Sequence, residues 1–182
     1  MENQHNPWTT LNTKPIYDNA WITVTEDQVI QPKGNRGIYG KVHFKNRAVG
    51  ILPIDHDQNI WLVGQYRYTL NAYSWEIPEG GAPNHESLLS CAQRELREET
   101  GLMANSWKMI SQLHTSNSVT DEIGYIYLAE DLLEGEPDFE DTELLEIRKL
   151  PFAQAIDMVM KQEITDSLSM VGILKLARIK GW

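Results

Sequence analysis

One cysteine, Cys91, in 182 residues leaves no partner for an internal disulfide, which excludes a cross-linked secreted scaffold. Cations are also short. Sixteen Lys and Arg stand against 26 Asp and Glu, a formal net charge of −10. With no basic stripe to neutralise phosphates, nucleic acid is not expected as a partner. An anionic small substrate would need local Arg or Lys, or bound metal, to approach so acidic a chain. No apolar run reaches membrane length, and the N-terminal MENQHNPWTT has no apolar signal core; the expectation is no membrane contact and a cytoplasmic protein. Repeats and low-complexity segments are absent as well. What is present is an ordinary globular composition, 41% apolar and 23% charged with six tryptophans, long enough for one core with a short extra segment.

Along the chain, the first fifteen residues are polar and Pro-bearing and read as loosely ordered. Residues 16–31 alternate β-branched and aromatic side chains and predict a strand; PKGNRG is a turn, and IYGKVHF resumes the alternation, so 16–44 reads as a hairpin or meander. AVGILPI (48–54) and IWLVGQYRY (60–68) suit central strands joined by a tight turn. A helix is expected over 84–100, capped by Asn84, with Leu89, Ala92 and Leu96 as its apolar stripe and Gly101 as its stop. Strands are expected near 106–114, at 123–129 and over LLEIRKL. The acidic 130–143 stretch reads as a loop, and 151–162 and 166–179 as amphipathic helices. Strands mixed with a few helices, without regular βαβ alternation, indicate an α+β or mixed-sheet sandwich.

The segment GGAPNHESLLSCAQRELREETGL (80–102) carries the chemistry. On a helix Glu95, Glu98 and Glu99 share a face. Arg94 reaches Glu98 across one turn, while Glu95 and Glu99 have no evident partner within the helix. A dense run of charge is usually a solvated face. Here, however, a Gly-Gly turn enters the helix, so backbone carbonyls come close to whatever the carboxylates hold. Hard divalent cations want such oxygens, and a bound cation would bridge acidic protein to anionic substrate.

The pattern formed by Gly80, Glu86, Arg94, Glu95, Leu96, Glu98, Glu99, Gly101 and Leu102 resembles the Nudix box at every fixed position. The resemblance implies a Nudix α/β/α sandwich with a mixed sheet over 45–182, preceded by an N-terminal antiparallel β segment, 1–44. It implies that Glu95, Glu98 and Glu99 ligate Mg²⁺, with Mn²⁺ as a substitute, and that the backbone carbonyl of Glu79 or Gly80 adds a ligand. Glu86 and Arg94 would brace the loop and helix, and Cys91 would pack rather than attack.

Outside the box, VGQYRYTLNAYSWEIPEGG is similar to the segment that precedes it in ADP-ribose pyrophosphatases and related nucleotide-sugar hydrolases. There an Arg after a strand reaches the diphosphate, and Arg67 holds that position; a guanidinium fork suits phosphate oxygens. Glu79 stands where that turn commonly has a small residue. The same families carry an N-terminal β segment that exchanges between subunits and supplies aromatics to the base, which points to a homodimer with Trp21 and Tyr39 as stacking residues. Ser116, Asn117 and Ser118 lie where ADP-ribose enzymes often have a proline, so another or broader nucleotide sugar is favoured. Glu143, then Glu140, is expected as the general base. The implied activity is hydrolysis of a nucleoside diphosphate sugar, ADP-ribose, GDP-mannose or similar, to a nucleoside monophosphate and a sugar phosphate. The alternatives are a hydrolase of triphosphates or dinucleoside polyphosphates, and a sensor that binds without cleaving.

Overall fold

The computed structural model describes residues 5–135 and 145–182. The chain divides into two compact units, Met1–Asn46 with His114–Glu122, and Arg47–Leu113 with Ile123–Trp182.

The first unit is an antiparallel meander of β1 (Thr9–Asp18), β2 (Ile22–Ile30) and β3 (Arg36–Phe44). Two expectations change here. The stretch expected to be loose is strand β1 from Thr9 onward, and the single strand expected over 16–31 is two. Every residue of β1 is exposed, so there was no buried alternation to read; Pro15 is tolerated because β1 is an edge strand. Asn19 makes the break, its Oδ1 accepting the N–H groups of Trp21 and Ile22 at 2.8 Å each, a side-chain turn of the kind asparagine favours. The 114–122 segment returns to this sheet through Val42 N–H, which donates to the Val119 carbonyl at 2.9 Å.

In the second unit, β4 (Arg47–Pro53) and β5 (Asn59–Arg67) lie in different sheets rather than side by side. The first sheet places β4 between β7 (Glu79–Ala82) and β9 (Ile123–Leu133), with β8 (Met103–His114) beyond β9. The β4–β9 pair is parallel and β4–β7 antiparallel. The second sheet orders β10 (Glu146–Pro151), β5 and β6 (Ala72–Glu76), all antiparallel. Just past the end of β4, Ile54 bridges to Ile60 of β5. Both are near-continuous apolar runs because both are covered on two faces, and periodicity alone does not say which strands are neighbours.

Helices α1 (Leu88–Thr100), α2 (Phe152–Met160) and α3 (Ser167–Lys180) supply the outer layers. Alternate residues of β4 point to different cores. Val49 and Ile51 pack with Cys91, Ala92 and Leu96 of α1; Leu52 joins Ile126, Ile173 and Leu176 under α3. This is the α/β/α sandwich with a mixed sheet. At the start of α1, Ser87 rather than Asn84 is the cap, its Oγ accepting from Ser90 N–H at 3.0 Å. Asn84 sits in a turn closed by Glu86 N–H to the Pro83 carbonyl. Leu89, assigned to the apolar stripe, is 38% exposed, and Cys91 takes the buried place.

Candidate active site

Strand β7 delivers Glu79 and Gly80 to the flank of α1. A Cβ on Gly80 would overlap the Glu95 carboxylate, so glycine here leaves that carboxylate the place it occupies beside β7. The 76–80 turn is held from three sides. Glu79 N–H donates to Glu99 Oε2 at 2.9 Å, Ile77 N–H donates to the buried Ser169 Oγ of α3 at 2.9 Å, and Ile51 N–H donates to the Pro78 carbonyl at 2.8 Å. Gly101 ends α1 in the left-handed conformation (φ 74°), its N–H bonded to the Arg97 carbonyl.

Arg94 is the hub of the acidic face. Its Nε and Nη2 bind the two oxygens of Glu86 at 3.1 and 3.0 Å, and this contact holds the Glu86 carboxyl below the usual carboxylate range. Its Nη1 stands 2.8 Å from both Glu95 and Glu98. Glu95, expected to lack a partner in its own helix, therefore has one in the adjacent Arg94, because one guanidinium can fork to several carboxylates at once. Arg47, which no motif marked, donates to the carbonyls of Pro83 and Glu86 at 3.0 and 2.7 Å and fixes the turn carrying Glu86. Glu99 is 2% exposed.

The donors offered along this face are oxygens, the set a hard divalent cation prefers. Among the described residues no group of three acidic, His or Cys side chains encloses a metal position. Arg94 engages two of the three carboxylates instead. The chemistry fits such an ion, since the one positive charge of Arg94 is shared among Glu86, Glu95 and Glu98.

Arg67, at the end of β5, binds Glu76 through Nε at 2.9 and 3.0 Å and through Nη2, which also reaches Glu79 Oε1 at 3.0 Å. Nη1 has no hydrogen-bond partner among the described residues. The Glu79 carboxyl is pushed well up by burial, then by Asp166 and Glu76, and its Oε2 is a buried atom without a hydrogen bond. Arg67, Glu76, Glu79 and Asp166 border a cleft of about 480 Å³. Cys91 is fully buried, and burial, then the Glu95 charge, pushes its thiol up to about 12. It is a packing residue, not a nucleophile.

In the first unit, Tyr39, Asn117 and Ser118 are brought to one pocket of about 420 Å³, with Tyr39 O–H donating to the Ser118 carbonyl at 2.6 Å. Ser116 does not line it; its carbonyl closes the turn by accepting from Val119 and Thr120 N–H. Trp21 is 68% exposed at the β1–β2 turn and does not line that pocket. Lys41, His43 and Asp121 do, and no sequence signal joined them, since His43 and its carboxylate partner are far apart along the chain. Glu140 and Glu143 lie outside the described residues.

The family model of the NUDIX domain matches residues 44–168, and that of the nucleoside diphosphate sugar hydrolase N-terminal domain matches residues 8–42. The chain is 35% identical over 175 residues to a protein named ADP-ribose pyrophosphatase from Mycobacterium tuberculosis, covering 91% of this chain and 81% of that protein. It is 32% identical over 160 residues to a protein of the same name from Bacillus subtilis, covering 87% and 86%. A crystal structure of an ADP compounds hydrolase shares the fold, with a TM-score of 0.87 at 23% identity over 99% of this chain and 98% of that one. With the domain matched over most of its length and every fixed position of the acidic helix in place, the chain belongs to the Nudix hydrolase family.

Proposed function

We propose that the protein is a Mg²⁺-dependent pyrophosphatase that splits a nucleoside diphosphate sugar into a nucleoside monophosphate and a sugar phosphate. The observation that carries this reading is the intact carboxylate face of α1, docked through Glu99 onto the backbone of Glu79 beside the Arg67 fork. The relatives named ADP-ribose pyrophosphatase support the substrate class, as does the N-terminal match.

Glu95, Glu98 and Glu99, with the carbonyl of Glu79 or Gly80, would hold the cation. A bound divalent cation supplies neutralisation of the diphosphate and acidifies water at the site. Arg67 offers Nη1 to a phosphate oxygen while Nε and Nη2 stay on Glu76 and Glu79, so the fork is oriented before substrate arrives. Glu86 and Arg47 keep Arg94 and the turn in place. Glu143, with Glu140 second, is our choice for the base that orients or deprotonates the attacking water. Turnover of Glu143→Gln and Glu140→Gln decides between them, the base being the one whose loss costs about 10²–10⁴-fold; equal, mild effects would mean that neither is the base.

The test of the activity is a panel of nucleotide sugars, nucleoside triphosphates and dinucleoside polyphosphates with Mg²⁺ and with Mn²⁺, products identified. Cleavage of triphosphates alone would overturn the proposal, and binding of a nucleotide sugar without cleavage would identify a sensor. We place the enzyme in the cytoplasm, where a protein with a single, unpaired cysteine is at home. The homodimer implied by an exchanged N-terminal segment is part of the same reading; a monomeric mass in solution would remove it.

A further inference from the structure

The cleft beside Arg67 holds one cation and an excess of carboxyls. It lies wholly in the second unit, between the β5–β6 turn and the junction of α2 with α3. Glu79 ties it to the acidic face of α1, with its N–H on Glu99 and its carboxyl on Arg67. Among the described residues that line the cleft, Arg67 is the only basic one, against Glu76, Glu79 and Asp166. Nε and Nη2 of Arg67 are engaged by Glu76 and Glu79, so Nη1 is the donor left for a phosphate oxygen. Burial, then Asp166 and Glu76, push the Glu79 carboxyl well up, which shows how little further negative charge this place tolerates.

Asp166 is the carboxylate with a free side. Its Oδ2 accepts the Ser169 N–H at 2.7 Å and caps α3, so the positive end of that helix is already answered. Its Oδ1 has no hydrogen bond among the described residues. A carboxylate only accepts. A ligand hydroxyl donates to it, whereas a further phosphate brings acceptor oxygens and like charge, with no second side-chain cation to offset them. The hydroxyls of Thr69, Ser74, Thr165 and Ser167 line the same cleft and make no hydrogen bond among the described residues. They both donate and accept, as the hydroxyls of a sugar do. The volume, about 480 Å³, falls in the range of small-molecule sites, roughly 300–1,000 Å³.

We infer that Asp166 is a specificity-determining residue of this site, admitting an uncharged, hydroxyl-bearing group beyond the diphosphate and rejecting a further phosphate. The inference rests on the nucleotide-sugar reading above and adds to it the residue that separates such substrates from triphosphates and dinucleoside polyphosphates.

Asp166→Asn in the full chain tests it, because asparagine caps a helix as well as aspartate does and only the charge is lost. Dissociation constants are measured by calorimetry without divalent cation, with ADP-ribose against ATP and GDP-mannose against GTP as probes. The triphosphate is expected to bind the variant about tenfold more tightly, the low end for relief of a like-charge contact that water partly screens. The nucleotide sugar changes by less than about threefold, since an amide oxygen still accepts from its hydroxyl. An unmoved triphosphate overturns the inference. Equal tightening of both ligands does so too, since it would report only the lower charge of the whole chain. In NMR of the wild-type protein with the same nucleotide sugars, nuclear Overhauser contacts are expected from the methyls of Leu70, which lines the cleft, to protons of the sugar beyond the diphosphate. Contacts to base protons alone, or none, overturn it, and this readout needs no variant. Neither measurement depends on turnover. The expected results in a protein that cleaves no nucleotide sugar would defeat the proposed activity and leave the selection by Asp166 standing; cleavage with an unmoved triphosphate would do the reverse.

Discussion

Glu99→Gln is expected to lower turnover of a nucleotide sugar by about a thousandfold, the scale on which loss of one preorganised charge-stabilising group slows an enzyme, with the folded state kept. Glu99 is 2% exposed and accepts the Glu79 N–H at 2.9 Å. Glutamine keeps an acceptor oxygen of nearly the same shape, so the junction between β7 and α1 survives. What disappears is one negative charge from the face proposed to hold the cation. Glu98→Gln is the companion, since Glu98 is bonded to Arg94 at 2.8 Å and that bond also tolerates an amide oxygen. The measurement is kcat with saturating Mg²⁺ alongside a urea titration of each variant. Near-normal rates in both would sink the metal assignment. A large drop in stability accompanying the rate would mean that these carboxylates act through the fold instead.

The acidic face was legible because its chemistry is local. Glu95, Glu98 and Glu99 fall together by helical spacing, and the glycines at 80 and 101 have reasons written in their neighbours, the Glu95 carboxylate for one and a left-handed backbone for the other. The cap was misplaced by three residues because both Asn84 and Ser87 are competent capping types; the fold selects Ser87, leaving Glu86 in a turn from which it reaches Arg94. Strand neighbours were not legible. β4 and β5 have the same apolar signature, and which sheet each joins depends on β9, β7 and β10, elements distant in sequence. The same holds for Ser169, whose hydroxyl meets Ile77 N–H across 92 positions, and for His43 with Asp121, 78 apart. β1 escaped because it buries nothing: its pairing with β2 satisfies the backbone without leaving a hydrophobic trace.

Arg67→Ala is expected to lower stability by about 3 kcal/mol, the cost of breaking a buried ion pair from one side, and to weaken substrate binding independently. Glu76 is 2% exposed and takes both Nε and Nη2 of Arg67; without the guanidinium its charge stays buried beside Glu79, whose carboxyl burial and Asp166 already disfavour as an anion. The low end of the expected cost applies because the Arg67 side chain is itself 35% exposed and water screens part of the pair. Arg67→Lys recovers little, since an ammonium cannot bridge Glu76 bidentately and reach Glu79 as well. The two roles separate in a double variant. Adding Glu76→Gln to Arg67→Ala removes the orphaned charge, so the urea midpoint returns most of the way to wild type. The KM for a nucleotide sugar stays raised, because the diphosphate has lost the Nη1 contact. Recovery of KM together with stability would show that Arg67 serves only Glu76 and Glu79. No recovery of stability would show that the buried charge of Glu76 is not what the guanidinium is there to balance.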